Sequence, residues 1–162
     1  MNNTPQRRTF SKAPKSEFKD RVLEVRRVTR VMAGGKRFSF RAAVVVGDLK
    51  GRVGFGVAKG LDFASSVQKA KRQAEKKLIR VNLVNDRTIP YDAQAKFGAA
   101  VVRLKPARKG HGLIAGGSAR AVLELAGVRD ISAKIVGRTK NKVANARATL
   151  KALESMKLGK IS

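Results

Sequence analysis

Few side chains in this sequence could do covalent chemistry, and their spacing argues against it. The only histidine, His111, stands between Gly110 and Gly112, and the chain has no cysteine. One imidazole cannot make a metal site, and no neighbouring carboxylate in sequence would orient it as an acid or base. The 11 Asp and Glu are scattered, which leaves paired carboxylate chemistry unsupported and points away from an enzyme. A glycine-rich run from Gly51 through Gly54 and Gly56 to Gly60 invites a phosphate-loop reading. It lacks the Gly-Lys-Ser/Thr ending of a Walker loop, and Ala58 or Lys59 stands where a dinucleotide fingerprint needs its third glycine. Gly51-Arg52-Val53-Gly54 matches the bare GXXG of a KH domain, but that loop joins helices and this one lies between strand patterns. These glycines read as a turn and a thinly covered strand face.

What remains is charge. With 37 Lys and Arg the formal net charge is +26 on 162 residues. Such a chain repels itself, and a polyphosphate that releases counterions on binding removes the difficulty. Hydrophobic residues make up 43% of the sequence, enough for a folded protein with a basic surface. Residues 1–90 carry 22 basic and 7 acidic side chains and residues 91–162 carry 15 and 4, so both halves should face nucleic acid. Aromatics are only 5% of the chain and fall mostly at core positions, which argues against base stacking as the main mode. The sequence shows no secretory leader and no apolar run of membrane-spanning length, and it reads as a cytoplasmic protein without cofactor or small-molecule substrate.

The elements that must position these cations follow from periodicity. Residues 1–16 read as a disordered basic arm, residues 17–84 as a first domain, 85–90 as a linker and 91–162 as a second domain. In the first, Leu23 and Val25 share a parity that Val28 breaks, so one bulge is expected. After the turn at Ala33 to Lys36, Phe38, Phe40, Ala42, Val44 and Val46 alternate as a strand with one buried side. A second turn leads to Val53, Phe55 and Val57, completing a three-stranded antiparallel meander. Phe63, Val67, Ala70, Ala74, Leu78 and Val81 then recur at helical spacing behind Asp62 as N-cap, predicting a helix on the apolar face of the meander. Its other side presents Lys69, Arg72, Lys76 and Arg80, and only Glu75 interrupts the run, a pattern better suited to phosphates than to a solvated face of mixed sign. The second domain reads as strand 99–104, loop 105–112, helix 118–126, strand 131–136 and helix 141–156, a small α/β sandwich. The fold class is α+β, two small domains.

Several blocks, in order, resemble one family. They are Val28 to Phe40, Val45 to Lys59, Leu104 to Ala107, Gly110 to Gly117 and Arg120 to Val128, within a match over about residues 17–156. The sequence is similar to the bacterial small-subunit ribosomal protein five family. That resemblance implies an N-terminal domain like the double-stranded-RNA-binding domain and a C-terminal βαβ two-layer sandwich. It implies a structural role in the 30S ribosomal subunit: binding 16S rRNA, assembly, neighbours in ribosomal proteins four and eight, a place near the mRNA entrance and an influence on translational accuracy. The hairpin loop corresponds to the family's spectinomycin-associated loop, which makes Gly34, Gly35, Lys36 and Arg37 rRNA-contact residues. Arg26, Arg27, Arg30, Arg52, Lys59, Lys69, Arg72, Lys76 and Arg80 complete the expected rRNA surface. Ala99, Val101, Arg103 and Arg108 are expected at the interface with a neighbouring protein. Arg108 and Lys109 replace the small and acidic residues common in relatives, and contacts with protein eight that use a longer C-terminal tail are in question. The alternative is a free-standing double-stranded-RNA-binding regulator.

Overall fold

The computed structural model describes residues 17–156, so the expected basic arm lies outside the described residues. Three strands open the chain: β1 (Lys19–Met32), β2 (Gly35–Gly47) and β3 (Arg52–Gly60). They pair antiparallel; the bulge lies at Leu23, between Val22 and Glu24 of β1, rather than between Val25 and Val28 where the change of parity put it, and the register from Glu24 to Met32 is unbroken. Helix α1 (Phe63–Lys76) follows from its N-cap Asp62, whose N–H donates to Ser65 Oγ at 3.4 Å. It ends earlier than the periodicity predicts. Leu78 to Arg80 form a short fourth strand, β4 (Leu78–Arg80), that pairs with Arg52 to Gly54 of β3. Leu78 and Val81 satisfy the helical spacing by coincidence of step, while Val81 N–H bonds Gly51 O at 2.7 Å and is buried beside the sheet.

The first sheet is covered on both faces. Ala42, Val44 and Val46 meet Ala70 and Ala74 of α1, and Gly54 and Gly56 lie opposite Val46 and Val44 in register. These two glycines are therefore tightly covered rather than thinly covered. A Cβ on Gly54 would stand 2.2 Å from Ala74 O, and one on Gly56 would stand 2.1 Å from Ala70 O. Only hydrogen at these positions lets the helix backbone lie down on the strand. Val53 and Phe55 thus project away from α1, with Ala43 and Val45, into a second and larger core.

That core is shared with the rest of the chain. Strands β5 (Ala93–Phe97), β6 (Ala100–Pro106), β7 (Leu113–Ile114) and β8 (Ile131–Ile135) form a second sheet in the order β5-β6-β8-β7. Helix α2 (Gly117–Leu125) crosses from β7 to its parallel neighbour β8, a βαβ unit whose first strand is the short β7 rather than the strand expected at 99–104, which as β6 runs antiparallel to β8. Helix α3 (Lys142–Ser155) starts at Asn141, whose Oδ1 accepts from Val143 and Ala144 N–H. Leu123, Val122, Leu153 and Ala148 of α2 and α3 pack in one cluster with Val45 and Phe55 of the first sheet and Val102 and Leu104 of the second. The layers run α1, first sheet, α2 with α3, second sheet.

The halves also meet main chain to main chain. Leu49 N–H bonds Leu125 O at 3.1 Å and Gly51 N–H bonds Ala126 O at 2.9 Å. A Cβ on Gly47 would lie 2.2 Å from Leu125 O, and one on Gly127, at φ +84°, would lie 2.2 Å from Leu49 O. Asp48 holds the turn here by accepting from Lys50 N–H, Arg52 N–H and Arg52 Nε. Burial pushes its carboxyl up, but the Arg52 side chain and the two amides outweigh that and lower it below 3.8. Asp130, 3% exposed, does similar work for the loop around His111, accepting from Gly110 and Gly112 N–H with Arg87 at 3.6 Å. The Gly112 amide leads in holding its pKa below 3.8, against burial and with help from Arg87, Gly110 and His111.

Two predictions follow from this packing. Replacing Gly56 by Ala should destabilise the protein by about 1–3 kcal/mol, because α1 must lift off the sheet. Gly34→Ala, with nothing within 4 Å of its Cβ, should stay within about 0.5 kcal/mol in the same denaturant titration. A carboxylate held low in the folded state stabilises it fully above the unfolded value of 3.8, and this is lost as pH falls through the folded value. Asp130→Asn should therefore lower Tm at pH 7 and converge on the parent protein below pH 3.8; a gap constant down to pH 3 would refute the role given to Asp130.

Candidate nucleic-acid interface

The outer part of β1 and β2 stands clear of the core as a long hairpin closed by Ala33 and Gly34. Its register sets cations beside cations. Arg30 lies directly opposite Arg37, and Arg26 lies opposite Arg41, which in turn lies opposite Lys59 of β3. Directly opposed residues share a sheet face, so Arg26, Arg30, Arg37, Arg41 and Lys59 line one side of the hairpin. Like charges in such pairs repel and destabilise an isolated sheet. One of them, Arg26, finds a partner in Glu24 at 2.7 Å.

The other side of the hairpin carries Arg27 and Lys36. The Arg27 guanidinium lies 3.7 Å from the Phe38 ring centroid, which props the cation over an otherwise exposed aromatic. Gly34 and Gly35 occupy the tip, Gly35 at φ +119°. Open space around both gives a partner close access to backbone.

Beside the base of the hairpin, α1 and the free edge of β3 enclose a groove of about 460 Å³. Lys59, Lys69, Arg72 and Lys76 line it with Gln73, and it contains no carboxylate. The structure therefore brings together four of the residues expected to meet RNA. Arg80 is not among them, because it sits on β4 opposite Arg52 rather than on the helix. Arg52 is engaged within the protein, bonded to Asp48 at 2.6 Å and 5.2 Å from the Phe18 ring. Arg41 is the residue that the sequence reading passed over. Its signal was the polar parity of β2, one position after Phe40, which puts it between Arg26 and Lys59.

The four residues expected at a protein neighbour come from two segments of the second half. Ala99 is at the turn after β5, Val101 and Arg103 lie on the solvent side of the second sheet, and Arg108 is in the loop that Asp130 anchors. Arg103 shares its sheet face with Lys105 and with Lys134, its register partner on β8, and pairs with Asp92 at 3.3 Å. Among the described residues no group of His, Cys, Asp and Glu could hold a metal ion, and no helix is long and apolar enough to cross a membrane.

Comparison with known proteins agrees with this architecture half by half. Residues 18–82 match the family model for the N-terminal domain of ribosomal protein S5, and residues 95–160 match that for its C-terminal domain. The chain is 50% identical over 140 residues to small ribosomal subunit protein uS5 of Sulfurihydrogenibium sp., covering 86% of this chain and 72% of that protein. It is 53% identical over 136 residues to uS5 of Persephonella marina, covering 84% and 70%. With uS5 of Synechococcus elongatus the identity is 47% over 142 residues, 88% of this chain and 78% of that one. Both halves of the fold and the length of these matches lead to one assignment: the chain belongs to the ribosomal protein S5 family.

Proposed function

We propose that this protein is a structural constituent of the small ribosomal subunit in the cytoplasm, without catalytic activity, and that it holds 16S rRNA by its phosphates. The observation that carries the reading is the opposed cation register, Arg30 with Arg37 and Arg26 with Arg41 and Lys59. Those pairs oppose folding in the free chain and become favourable against a polyanion. The α1 groove, with four cations and no acid, supplies a second contact on the same half. Of the described aromatics expected in the core only Phe55 is buried, and Phe38 and Phe63 are exposed on this half, but the Phe38 ring is occupied by the Arg27 guanidinium, so recognition rests on backbone shape rather than on stacked bases.

The hairpin, like the loop it resembles, reaches the region associated with spectinomycin, with Lys36 and Arg37 at its tip. The second half faces ribosomal proteins four and eight near the mRNA entrance, through the Arg108 loop and the outer surface around Ala99, Val101 and Arg103. Through those contacts the protein influences decoding accuracy.

Binding to a 16S rRNA fragment should weaken steeply with salt and show little preference among short duplexes. Replacing Lys69, Arg72 and Lys76 by Ala should reduce the slope of log affinity against log salt by about one per cation. In assembled small subunits, chemical footprints beneath the hairpin should change when Lys36 and Arg37 become Ala, and unchanged footprints would sink the loop assignment. In lysate, co-sedimentation with small subunits separates this function from that of a free RNA-binding regulator.

A further inference from the structure

The hairpin has a second face, which the phosphate contact proposed above does not use. Ala42, Val44 and Val46 of β2 meet α1, so Lys36, Phe38 and Phe40, at the same parity nearer the tip, lie on that face too. Their register partners on β1 are Val31, Thr29 and Arg27. The cover that α1 gives this face stops at the end of β3. A Cβ on Gly60, the register partner of Phe40, would lie 2.5 Å from Ser65 Oγ and 2.7 Å from Ser66 N, so the first turn of the helix rests there and goes no further.

Beyond that line the apolar side chains are bare. Leu61 is 80% exposed, Val31 70%, Phe63 54% and Phe38 44%. Phe40, between the hairpin tip and the end of the helix, is half-buried and belongs to neither core cluster of the described residues. Phe63 continues the stripe of Val67, Ala70 and Ala74 by which α1 packs on the sheet, so its exposure comes from missing cover rather than from an outward position on the helix. Single apolar residues on a surface need no explanation. A row that joins a hairpin to a helix end, edged by cations, marks an interaction surface.

The surroundings say what kind of partner fits. Residues 25–47 contain no Asp or Glu, Arg27 and Lys36 stand on this face among the apolar side chains, and Asp62, the acid next to Leu61, is the N-cap of α1. A second copy of the chain, at +26, would be repelled, and residues 1–16 bring Arg7, Arg8, Lys12 and Lys15 with no acid. Stacked bases are poorly served, because Val31 and Leu61 are aliphatic and the Phe38 ring already carries the Arg27 guanidinium at 3.7 Å. We propose that this strip docks a segment of another protein whose apolar side chains are flanked by Asp or Glu. Its apolar groups cover Val31, Phe38, Phe40, Leu61 and Phe63, and its carboxylates meet Arg27 and Lys36, a complementarity that fixes register across an interface. Phosphates on the face of Arg30 and Arg37 and protein on the opposite one then hold the hairpin from both sides. The strip and its partner do not rest on the contact with RNA.

The test uses the full 162-residue chain in cells, with Phe63 replaced by photoreactive benzoylphenylalanine. After irradiation the cross-linked peptide is sequenced by mass spectrometry. A peptide of another protein, with apolar residues beside Asp or Glu, is expected. Its yield should fall severalfold in Leu61→Ser and about tenfold in Leu61→Glu, which adds repulsion to the lost apolar contact. Leu61 is largely exposed and precedes α1, so both variants keep the fold, and Leu61→Ser should bind a 16S rRNA fragment as the parent does. The proposal is overturned by a cross-link to RNA, or to this chain itself, whether to residues 1–16 or to a second copy. It is equally overturned by a peptide without acids, by no cross-link, by a yield that neither variant lowers, or by a matching loss of rRNA binding in Leu61→Ser. A parent chain that binds no rRNA fragment would overturn the proposed function and leave a positive cross-link standing.

Discussion

The contact on which the rest of the molecule depends is the seam where the Gly47 to Gly51 turn meets the end of α2. Backbone bonds from Leu49 and Gly51 to Leu125 and Ala126 cross it, and two glycines bring the chains closer than any side chain would allow. Such a seam has no slack, because sliding it would leave buried N–H and C=O groups unpaired. It sets the face of the first sheet against α2 and α3, and so fixes how the hairpin and the α1 groove are aimed relative to the second sheet. Two family-model regions thereby share one core rather than sitting as independent beads.

Charge is distributed in a way that this rigidity makes useful. The acids that pair with cations sit largely at structural points: Asp48 in the seam turn, Asp130 under the His111 loop, Glu124 against Arg21, Asp20 against Lys71. The exposed pairs of Glu124 and Asp20 contribute little stability, whereas Asp48 and Asp130 are withdrawn beneath the turns they hold, and all four carboxylates are kept away from the cations of the α1 groove. The hairpin and the α1 groove are left with an excess of cations. A rigid frame that holds those cations apart in fixed positions loses less entropy on docking than a flexible basic chain would.

Much of this was legible in the sequence, and what was not has identifiable causes. The two turns, the strand at 38–46 and the helices of the second half follow from period and punctuation, whereas the parities of Leu23, Val25 and Val28 put the bulge of β1 after Val25 rather than at Leu23. The strand at 38–46 was read as buried on one side because its even positions are apolar, although Ala43, Val44, Val45 and Val46 form a continuous apolar run that fits burial on both. Strand β4 was hidden because Leu78 and Val81 extend the helical spacing of α1. Gly54 and Gly56 looked like a thin surface because glycine in a strand signals either absent cover or very close cover, and sequence does not say which. Of the cations gathered at the hairpin and the α1 groove, those on α1 were found by spacing, whereas Arg41 needs the pairing register.

The shared core has a consequence for the order in which the chain is made. The first half emerges from its own synthesis with Ala43, Val45, Val53 and Phe55 facing water, since the helices that cover them are encoded later. At ordinary elongation speeds of about 5–20 residues per second, the interval between Gly51 and Gly127 leaves that face bare for roughly 4–15 s. During that interval the nascent sheet is an adhesive surface carrying a strong positive charge, and the cell must shield both properties until α2 arrives to close the seam.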